Sequence, residues 1–219
     1  MKDQPRIYVI ADDALGILLE PGDDRHRLAK RISRSKDWRD VIPEANGICV
    51  QFDPMIQAPD DARARLEEAL SEPIERGEDD TKHWVIPVCY APEYAMDMDR
   101  ICAETGLSRD AIIARHTAAI FTIDMLGFNP GFAYLSSADF TPNLNRLTHP
   151  RQHVPAGSVG LARNQCGLYA LDGPGGWPII GRTPFALFAA SAPDPFVLTP
   201  GDSMKFEPIS ERDFQAYKP

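Results

Sequence analysis

Cysteine is scarce in this chain, with four residues among 219. No two of them form a C-x-x-C pair, so the sequence offers neither the spacing of a zinc site nor a disulfide framework. Widely spaced cysteines of this kind are typical of reduced, mostly buried thiols. We therefore expect a cytoplasmic protein without a metal site, because disulfides persist mainly in oxidising compartments. The cysteines are Cys49, Cys89, Cys102 and Cys166.

Positive charge and long apolar runs are also in short supply. Lysine and arginine total 23 against 32 acidic residues, which gives a formal net charge of −9. A nucleic-acid-binding domain needs a basic surface, so this balance argues against nucleic acid as a partner. No apolar run approaches the roughly 18 residues of a membrane span. Asp12 and Asp13 interrupt the apolar run near the N-terminus, so we expect no signal peptide.

Motifs for nucleotide binding and for covalent catalysis are missing as well. The sequence contains no phosphate loop of the form G-x-x-x-x-G-K-S/T and no G-x-G-x-x-G after a strand. ATP binding therefore cannot be assigned to this chain alone. Ser158 lies outside a G-x-S-x-G context and has no assigned base, which disfavours it as a covalent nucleophile.

The first third of the chain alternates strand and helix patterns in the order β-β-α-β-α-β. Such an order predicts an α+β unit, with two helices on one face of a sheet, over residues 1–85. A charged run at 75–82 favours a solvated loop, although a linker is the alternative. The predicted strands are 6–10, 14–19, 47–53 and 83–90, and the predicted helices lie within 22–36 and from residue 59 onward.

The remainder of the chain changes character. A short helix is predicted at 97–105 with Gly106 at its end, and Ser108 is a natural N-cap for a second helix. From Met125 to Pro184, glycine and proline recur every few residues with short apolar runs between them. Breaks of this density predict a tightly turned barrel or sandwich. We assign residues 86–219 to this mostly-β part, with one last helical turn near its end.

Three motifs in this region carry a family resemblance. GFNPGFAYL at 127–135, RQHVPAGSVG at 151–160 and GPGGWPIIGRTP at 173–184 resemble the family of the 5-oxoprolinase B subunit, the kinase inhibitor KipI and allophanate hydrolase subunit 1. This family is also known as carboxyltransferase subdomains C and D. The resemblance implies an α+β, ferredoxin-like N-terminal subdomain followed by a cyclophilin-like β-barrel. A cyclophilin-like barrel does not itself imply prolyl isomerase activity.

The resemblance also implies a function that depends on partners. Members named 5-oxoprolinase take part in an ATP-dependent hydrolase that opens 5-oxoproline to glutamate, in which the substrate is phosphorylated and a further subunit completes hydrolysis. The implied partners are a 5-oxoprolinase C subunit or KipA-like protein, similar to allophanate hydrolase subunit 2, and a protein like the 5-oxoprolinase A subunit. ATP would be used through the complex, and the chain would be inactive alone. Two alternatives stay open, a urea carboxylase or allophanate hydrolase type of carboxyl transfer and KipI-like inhibition of a histidine kinase.

Arg151 and Arg182 are the first candidates for substrate binding, because each flanks a rigid turn. An arginine can hold a carboxylate or phosphate through two parallel hydrogen bonds, which lysine cannot do as well. The alternative is a structural arginine that ties a loop to backbone carbonyls or to an aspartate such as Asp172. Thr183 adds a hydroxyl beside Arg182, so we expect both arginines to share a pocket in which Arg182 matters more.

Further candidates surround these two. Ser158 follows small residues where backbone N–H groups could form an anion-binding nest. Gln165 matches the resemblance, and Tyr134 would line a pocket with Phe128 and Phe132. Aromatic residues beside glycine and proline are more often packed in a core, and that alternative is kept.

Histidines give one secondary candidate. His116 lies on the apolar side of its predicted helix, which favours a satisfied core histidine over a general base. His149 and His153 flank Arg151 in an extended segment, but no third ligand is evident, so solvated histidines are favoured over a metal site.

The sequence departs from the family pattern in three places. YAPEYAMDM at 90–98 lacks the glycines of the usual YGGEFGPDL-like segment. Arg163-Asn164 replaces a frequent glycine pair, and Cys166 stands where threonine is common. The segment SSADFTPNLNRL at 136–147 also lacks an arginine often seen before the second Pro-Arg. These changes affect loop conformation, so they bear on the substrate more than on the fold.

Overall fold

The computed structural model describes residues 5–20, 24–35, 37–44, 46–71, 81–193 and 195–218. The chain divides into two compact units, residues 1–80 and 81–219. The sequence places this boundary between residues 85 and 86. Residues 75–80 of the charged run lie outside the described residues. None of the described helices is long and apolar enough to cross a membrane.

The first unit is an antiparallel sheet of four described strands with two helices. Its sheet has the order β1-β2-β4-β3. The connectivity β-β-α-β-β-α is a cyclic shift of the β-α-β-β-α-β order of a ferredoxin-like unit. The elements are β1 (Arg6–Ala11), β2 (Ala14–Leu18), α1 (Arg25–Arg34), β3 (Asp40–Glu44), β4 (Gly47–Gln51) and α2 (Pro59–Ser71).

The core of this unit follows from the two periodicities of its elements. Leu15 and Ile17 in β2 alternate onto one face of the sheet, as expected for a half-buried strand. Leu28 and Ile32 lie four residues apart on α1, and both are buried in the same cluster. The pattern of apolar residues therefore predicts the contact between sheet and helices correctly.

Two strand assignments need correction. The sequence prediction missed β3, because its residues DVIPE contain a proline and two acids and resemble a loop. Proline is tolerated there because β3 is an edge strand. The strand predicted at 83–90 is real, but it belongs to the second unit, where it pairs in parallel with a strand 120 residues later. Sequence order alone cannot reveal such a distant partner.

The second unit is a closed barrel of seven strands in the described part of the chain. Its order is β10-β7-β6-β13-β5-β12-β9, and a separate two-stranded ribbon pairs β11 with β8. This confirms the predicted fold class, an α+β part followed by a mostly-β barrel. In chain order the elements are β5 (His83–Cys89), α3 (Met98–Thr105), α4 (Arg109–Ala118), β6 (Phe121–Leu126), β7 (Ala133–Ser136), β8 (Arg151–Val154), β9 (Ser158–Ala162), β10 (Gln165–Leu168), β11 (Gly173–Gly175), β12 (Ile179–Arg182), β13 (Ser203–Ile209) and α5 (Glu211–Ala216).

The two predicted helices between β5 and β6 are confirmed with their caps. Gly106 adopts a left-handed conformation with φ of 70° at the end of α3, and its N–H donates to the carbonyl of Cys102. The Ser108 hydroxyl accepts a hydrogen bond from the N–H of Ala111 at the start of α4.

Strand alternation separates the inside of the barrel from its outside. On β7, Ala133 and Leu135 belong to the large barrel core, whereas Tyr134 and Phe132, the residue before the strand, belong to a second, smaller cluster. Adjacent residues of a strand point to opposite faces, so the smaller cluster lies on the outer face of the barrel wall. That outer cluster contains Phe132, Tyr134, Val154, Ala162, Tyr169, Trp177 and Ile179.

The departure at Arg163-Asn164 leaves the local fold intact. Gln165 pairs with Ala162, so Arg163 and Asn164 form the tight turn between β9 and β10. Arg163 adopts φ of 53°, a left-handed conformation that glycine takes at lower cost. Backbone hydrogen bonds in both directions between Arg163 and Leu144 hold it there.

Candidate functional site

Glycines on the outer face of β9 and β10 make room for a layer of aromatic rings. Gly160 and Gly167 are opposite each other in the ladder. A Cβ at Gly167 would lie 2.7 Å from Phe132 and 2.9 Å from Trp177, and a Cβ at Gly160 would lie 2.9 Å from Trp177. Both rings therefore rest directly on the backbone. The GFNPGF and PGGW motifs therefore contribute to the same structural feature, because Phe132 of the first motif and Trp177 of the second pack over β9 and β10.

Polar side chains surround the accessible edge of this layer. The Tyr134 ring lies 5.8 Å from the Trp177 ring, and the exposed Arg146 guanidinium lies 5.8 Å over the same indole. Gln165 pairs with Ser136, two residues from Tyr134 on the same face. We call the four residues Tyr134, Arg146, Gln165 and Trp177 the outer-face site. It combines aromatic surface, an amide, a phenol and a cation.

Arg151 is held by a buried aspartate. Its two terminal nitrogens donate to the carboxylate oxygens of Asp97 at 2.9 and 2.7 Å. Asp97 is 7% exposed and also accepts a hydrogen bond of 2.7 Å from the N–H of Ile179. This pair links α3, β8 and β12. These contacts fit the interpretation of Arg151 as a structural arginine, with Asp97 as the aspartate that it binds. Asp172, the aspartate suggested from the sequence, instead accepts a hydrogen bond from the N–H of Ala156.

Arg182, Thr183 and Ser158 come together at the other end of β9. Ser158 pairs with Arg182 across the β9–β12 ladder, and the N–H of Thr183 donates to the carbonyl of Gly157 at 2.8 Å. The Arg182 Nε donates to the carbonyl of Ala156, and its guanidinium lies 5.9 Å over the Phe214 ring. Its terminal nitrogens have no hydrogen-bond partner among the described residues, so Arg182 keeps donors for an anion.

Arg151 and Arg182 have different partners among the described residues, and the shared pocket for both arginines stays a prediction. Thr183 is buried, and its hydroxyl accepts from the N–H of Phe185. Ser158 is 1% exposed, and no histidine or carboxylate is hydrogen-bonded to it in the described part of the chain. The described residues therefore provide binding groups without an activated serine.

The aromatic residues of the GFNPGF motif separate into two roles. Phe132 is buried and Tyr134 half-buried in the outer cluster, as the packing alternative predicts. Phe128 is 63% exposed with φ of 72°, and it lines a shallow cleft of about 400 Å³. The cleft is also lined by Leu126, Gly127, Asn129, Pro130, Gly131 and Phe196.

His116 lies in the barrel core and is fully buried. Its Nδ1 is 2.7 Å from the Tyr90 hydroxyl, its Nε2 is 3.6 Å from the Cys166 thiol, and its ring stacks on Phe206 at 4.4 Å. Burial lowers the pKa of His116 to about 3, and it raises the pKa of both Cys166 and Tyr90. His116 is a core histidine with hydrogen-bonding neighbours, and it has no access to a substrate at the surface.

The buried imidazole makes stability depend on pH. Because the pKa of His116 is about 3 in the folded state and about 6.5 when unfolded, only the unfolded chain binds this proton between those values. The contribution of His116 to the free energy of unfolding is therefore retained well above pH 6.5 and lost as pH falls below that value. We expect the free energy of unfolding to decrease by about 2 kcal/mol between pH 7 and pH 5 because of this residue. Urea unfolding at both pH values measures the loss.

The control for this prediction is a second histidine variant. His116→Asn should unfold more easily at pH 7 but show a flatter pH dependence, whereas His149→Asn at an exposed position should keep the wild-type slope. An unchanged slope in His116→Asn would contradict a neutral buried imidazole.

The remaining histidine candidates do not form a ligand group. His149 and His153 are both exposed. The described residues contain no cluster of three or more His, Cys, Asp or Glu side chains that could hold a metal ion.

Sequence reasoning missed three residues of this region. Asp97 was placed only as the first residue of a helix, Trp177 appeared only within a motif, and Arg146 was not singled out. The sequence signal for Asp97 was weak, because an aspartate before a helix is expected to cap that helix. In the structure Asp97 makes no such capping bond. For Trp177 the signal was the glycine pair before it, which allows a close approach of chains.

Comparison with known proteins supports the motifs quoted above. The family model described as "Carboxyltransferase domain, subdomain C and D" matches residues 6–198. A Bacillus subtilis protein, named as the B subunit of 5-oxoprolinase, is 41% identical over 153 residues, covering 70% of this chain and 64% of that protein. Its namesake from Escherichia coli O157:H7 is 35% identical over 212 residues, covering 94% and 97%.

Weaker relatives and solved structures extend the comparison. Urea amidolyase of Saccharomyces cerevisiae is 28% identical over 138 residues, covering 56% of this chain and 7% of that protein. The structure of PH0987 from Pyrococcus horikoshii aligns with a TM-score of 0.58 and 35% identity, covering 95% and 100%. Kluyveromyces lactis urea carboxylase aligns with a TM-score of 0.75 at 17% identity, covering 99% and 23%, and shares the fold alone.

The family model covers most of the chain, and the Escherichia coli relative is matched along nearly its whole length. The chain therefore belongs to the carboxyltransferase domain, subdomain C and D, family, together with its relatives named as the B subunit of 5-oxoprolinase.

Proposed function

We propose that this chain is one subunit of an ATP-dependent 5-oxoprolinase that opens 5-oxoproline to glutamate. The observation that carries the proposal is its similarity, at 35% identity over 97% of the relative's length, to a protein named as the B subunit of 5-oxoprolinase. In the reaction the lactam C–N bond breaks, and water supplies the new carboxylate oxygen. A hydrolase of this kind must bind a small cyclic amide that carries one negative charge.

The outer-face site offers groups suited to such a substrate. The half-buried Tyr134 ring provides aromatic surface for a small ring beside the buried Trp177 indole, and the exposed Arg146 provides a cation near it. Gln165 adds an amide that can both donate and accept. These groups bind and orient, and they do not include a nucleophile with its base. The chemistry therefore requires groups from another protein of the complex.

Three helix N-termini and one glycine pair of this chain are poor candidates for binding the phosphates of ATP. Helix N-termini suit phosphate only when their N–H groups are free, and those of α1, α4 and α5 are capped by Asp24, Ser108 and Ser210. The glycines at 175 and 176 face Tyr169 and Pro150, so they do not form an open cradle. We therefore assign ATP to the complex, and no step to this chain.

The partners in the proposal are a 5-oxoprolinase C subunit or KipA-like protein and a protein like the 5-oxoprolinase A subunit. The relatives are named as one subunit of an enzyme, which supports a complex of several chains. A cytoplasmic location belongs to the same proposal, because all four cysteines are free, as expected in a reducing compartment.

Reconstitution tests the proposal. Glutamate formation from 5-oxoproline and ATP should be absent with the purified chain and present once both partner proteins are added. Arg146→Gln should lower kcat/KM of the complex at least about tenfold, as expected when a hydrogen bond to a charged group is lost. Arg115→Gln, at an exposed position of α4, is the matched control and should leave kcat/KM unchanged.

A urea carboxylase or allophanate hydrolase type of reaction is the second candidate. The 28% identity to urea amidolyase favours it. The same complex should therefore be assayed with urea and with allophanate. Turnover of either compound without turnover of 5-oxoproline would replace the first proposal by the second, and full turnover by the isolated chain would overturn the need for partners.

A further inference from the structure

Strand β1 forms one edge of the sheet in the first unit, and its exposed side chains are apolar. Tyr8, Val9 and Ile10 are 40%, 62% and 45% exposed. An edge strand presents unpaired backbone N–H and C=O groups, so proteins usually protect it with proline, lysine or charge. The segment RIYVIA contains neither proline nor lysine, and its one charged residue, Arg6, lies at its start.

The opposite edge of the same sheet carries the protection that β1 lacks. In β3, Pro43 removes a backbone donor, and Asp40 and Glu44 place a negative charge at each end of the strand. Among the described strands, the two edges of this sheet therefore differ, because β1 has no proline within it and exposes apolar side chains.

The Tyr8 side chain does not cover this open edge. A Cβ at Gly16, the residue paired with Tyr8, would collide with the tyrosine ring. The ring therefore lies over β2, toward the centre of the sheet. No described strand pairs with the outer backbone edge of β1.

The charges at the two ends of β1 select the partner and its direction. Arg6 begins the strand, and Asp12 follows it in the turn to β2. Neither side chain has an ion-pair partner within the ranges that the structure describes. If two copies of β1 pair antiparallel, each Arg6 lies beside the other copy's Asp12, whereas parallel pairing would bring like charges together.

We propose that two copies of this chain associate by antiparallel pairing of their β1 strands, which joins the two sheets into one. The pairing of Arg6 with Asp12 centres the contact on Val9, and the bulge between Val9 and Ala11 interrupts the ladder on either side of the two-fold axis, which leaves a short interface. An interface this short falls below the usual size of a stable complex, so we expect a dissociation constant of roughly 10–100 µM. The proposal does not depend on the proposed enzymatic function.

The first test measures self-association of the full chain by sedimentation equilibrium between about 1 and 500 µM. A concentration-dependent monomer–dimer equilibrium is expected. Val9→Lys should weaken it at least about tenfold, because two lysines would face each other across the two-fold axis. Ile42→Lys, on the protected edge, should leave it unchanged. Circular dichroism of both variants checks that the fold is retained.

The second test uses charge reversal. Arg6→Glu and Asp12→Arg should each weaken the dimer several-fold, and the double variant should restore it, since the pair is re-formed with its signs exchanged. A chain that is monomeric at every concentration overturns the proposal. A dimer that Val9→Lys leaves intact, or one that the double variant does not restore, overturns it as well, because association then uses another surface or another orientation.

Discussion

We expect Asp97→Ala to lower the free energy of unfolding of the barrel by about 3 kcal/mol, the lower end for breaking a buried ion pair. Asp97 is 7% exposed and binds both terminal nitrogens of Arg151 and the N–H of Ile179. Its removal leaves a buried backbone donor unpaired. The Arg151 side chain is 29% exposed, so water can recover part of the loss.

The measurement must report on the barrel, because the two units of the chain can unfold separately. Hydrogen exchange at the N–H of Ile179 follows the broken contact directly, and urea unfolding gives the free energy. Asp172→Ala, which removes an exposed acceptor for the N–H of Ala156, is the matched control and should cost less than about 1 kcal/mol.

A double-mutant cycle distinguishes a structural pair from two independent side chains. Arg151→Ala alone leaves a buried carboxylate without its cation, so it should also destabilise the barrel. The variant lacking both side chains should lose clearly less than the sum of the single losses, by roughly 1–3 kcal/mol. Additive losses would mean that Asp97 and Arg151 do not act together, and Arg151 would again be a candidate for binding an anion.

This pair also shows why the sequence predicted the outline of the site better than its contacts. The density of glycine and proline predicted a tightly turned barrel or sandwich, and in the barrel Gly160 and Gly167 lie under the rings of Phe132 and Trp177. Turn chemistry and spacing carry that information locally. Asp97, the partner of Arg151, lies 54 residues earlier in the chain. Nothing in the local sequence distinguishes it from the other acidic residues as a partner for Arg151.

The barrel gives the same lesson at the level of topology. The strand at 83–90 was predicted correctly as a strand and assigned to the wrong sheet. Its partner β13 is 120 residues away and parallel to it, so no turn motif joins them. Local patterns therefore predict that an element exists, while its neighbours depend on which faces become buried together.

The second large effect is expected at Gly157, where we predict that alanine costs about 3 kcal/mol or more. Gly157 has φ of 81°, which is costly for any residue with a Cβ. A Cβ there would also collide with the backbone carbonyl of Thr183, which has no flexible end that could move away. The same position accepts a 2.8 Å hydrogen bond from Thr183 and donates a 2.6 Å bond to Tyr169, so both would be strained.

Two other glycines separate the causes of this loss. Gly106→Ala meets φ of 70° with no atom within 4 Å, so it should cost only the backbone term of about 1 kcal/mol. Gly127→Ala has open space and no positive φ, so it should be neutral or slightly stabilising. Urea unfolding should rank the three variants with Gly127 mildest and Gly157 most severe. If Gly157→Ala costs no more than Gly106→Ala, the segment at 155–158 is not rigidly tied to β12. Arg182, whose Nε is hydrogen-bonded to the carbonyl of Ala156, would then lack the fixed position that makes it a candidate for binding an anion.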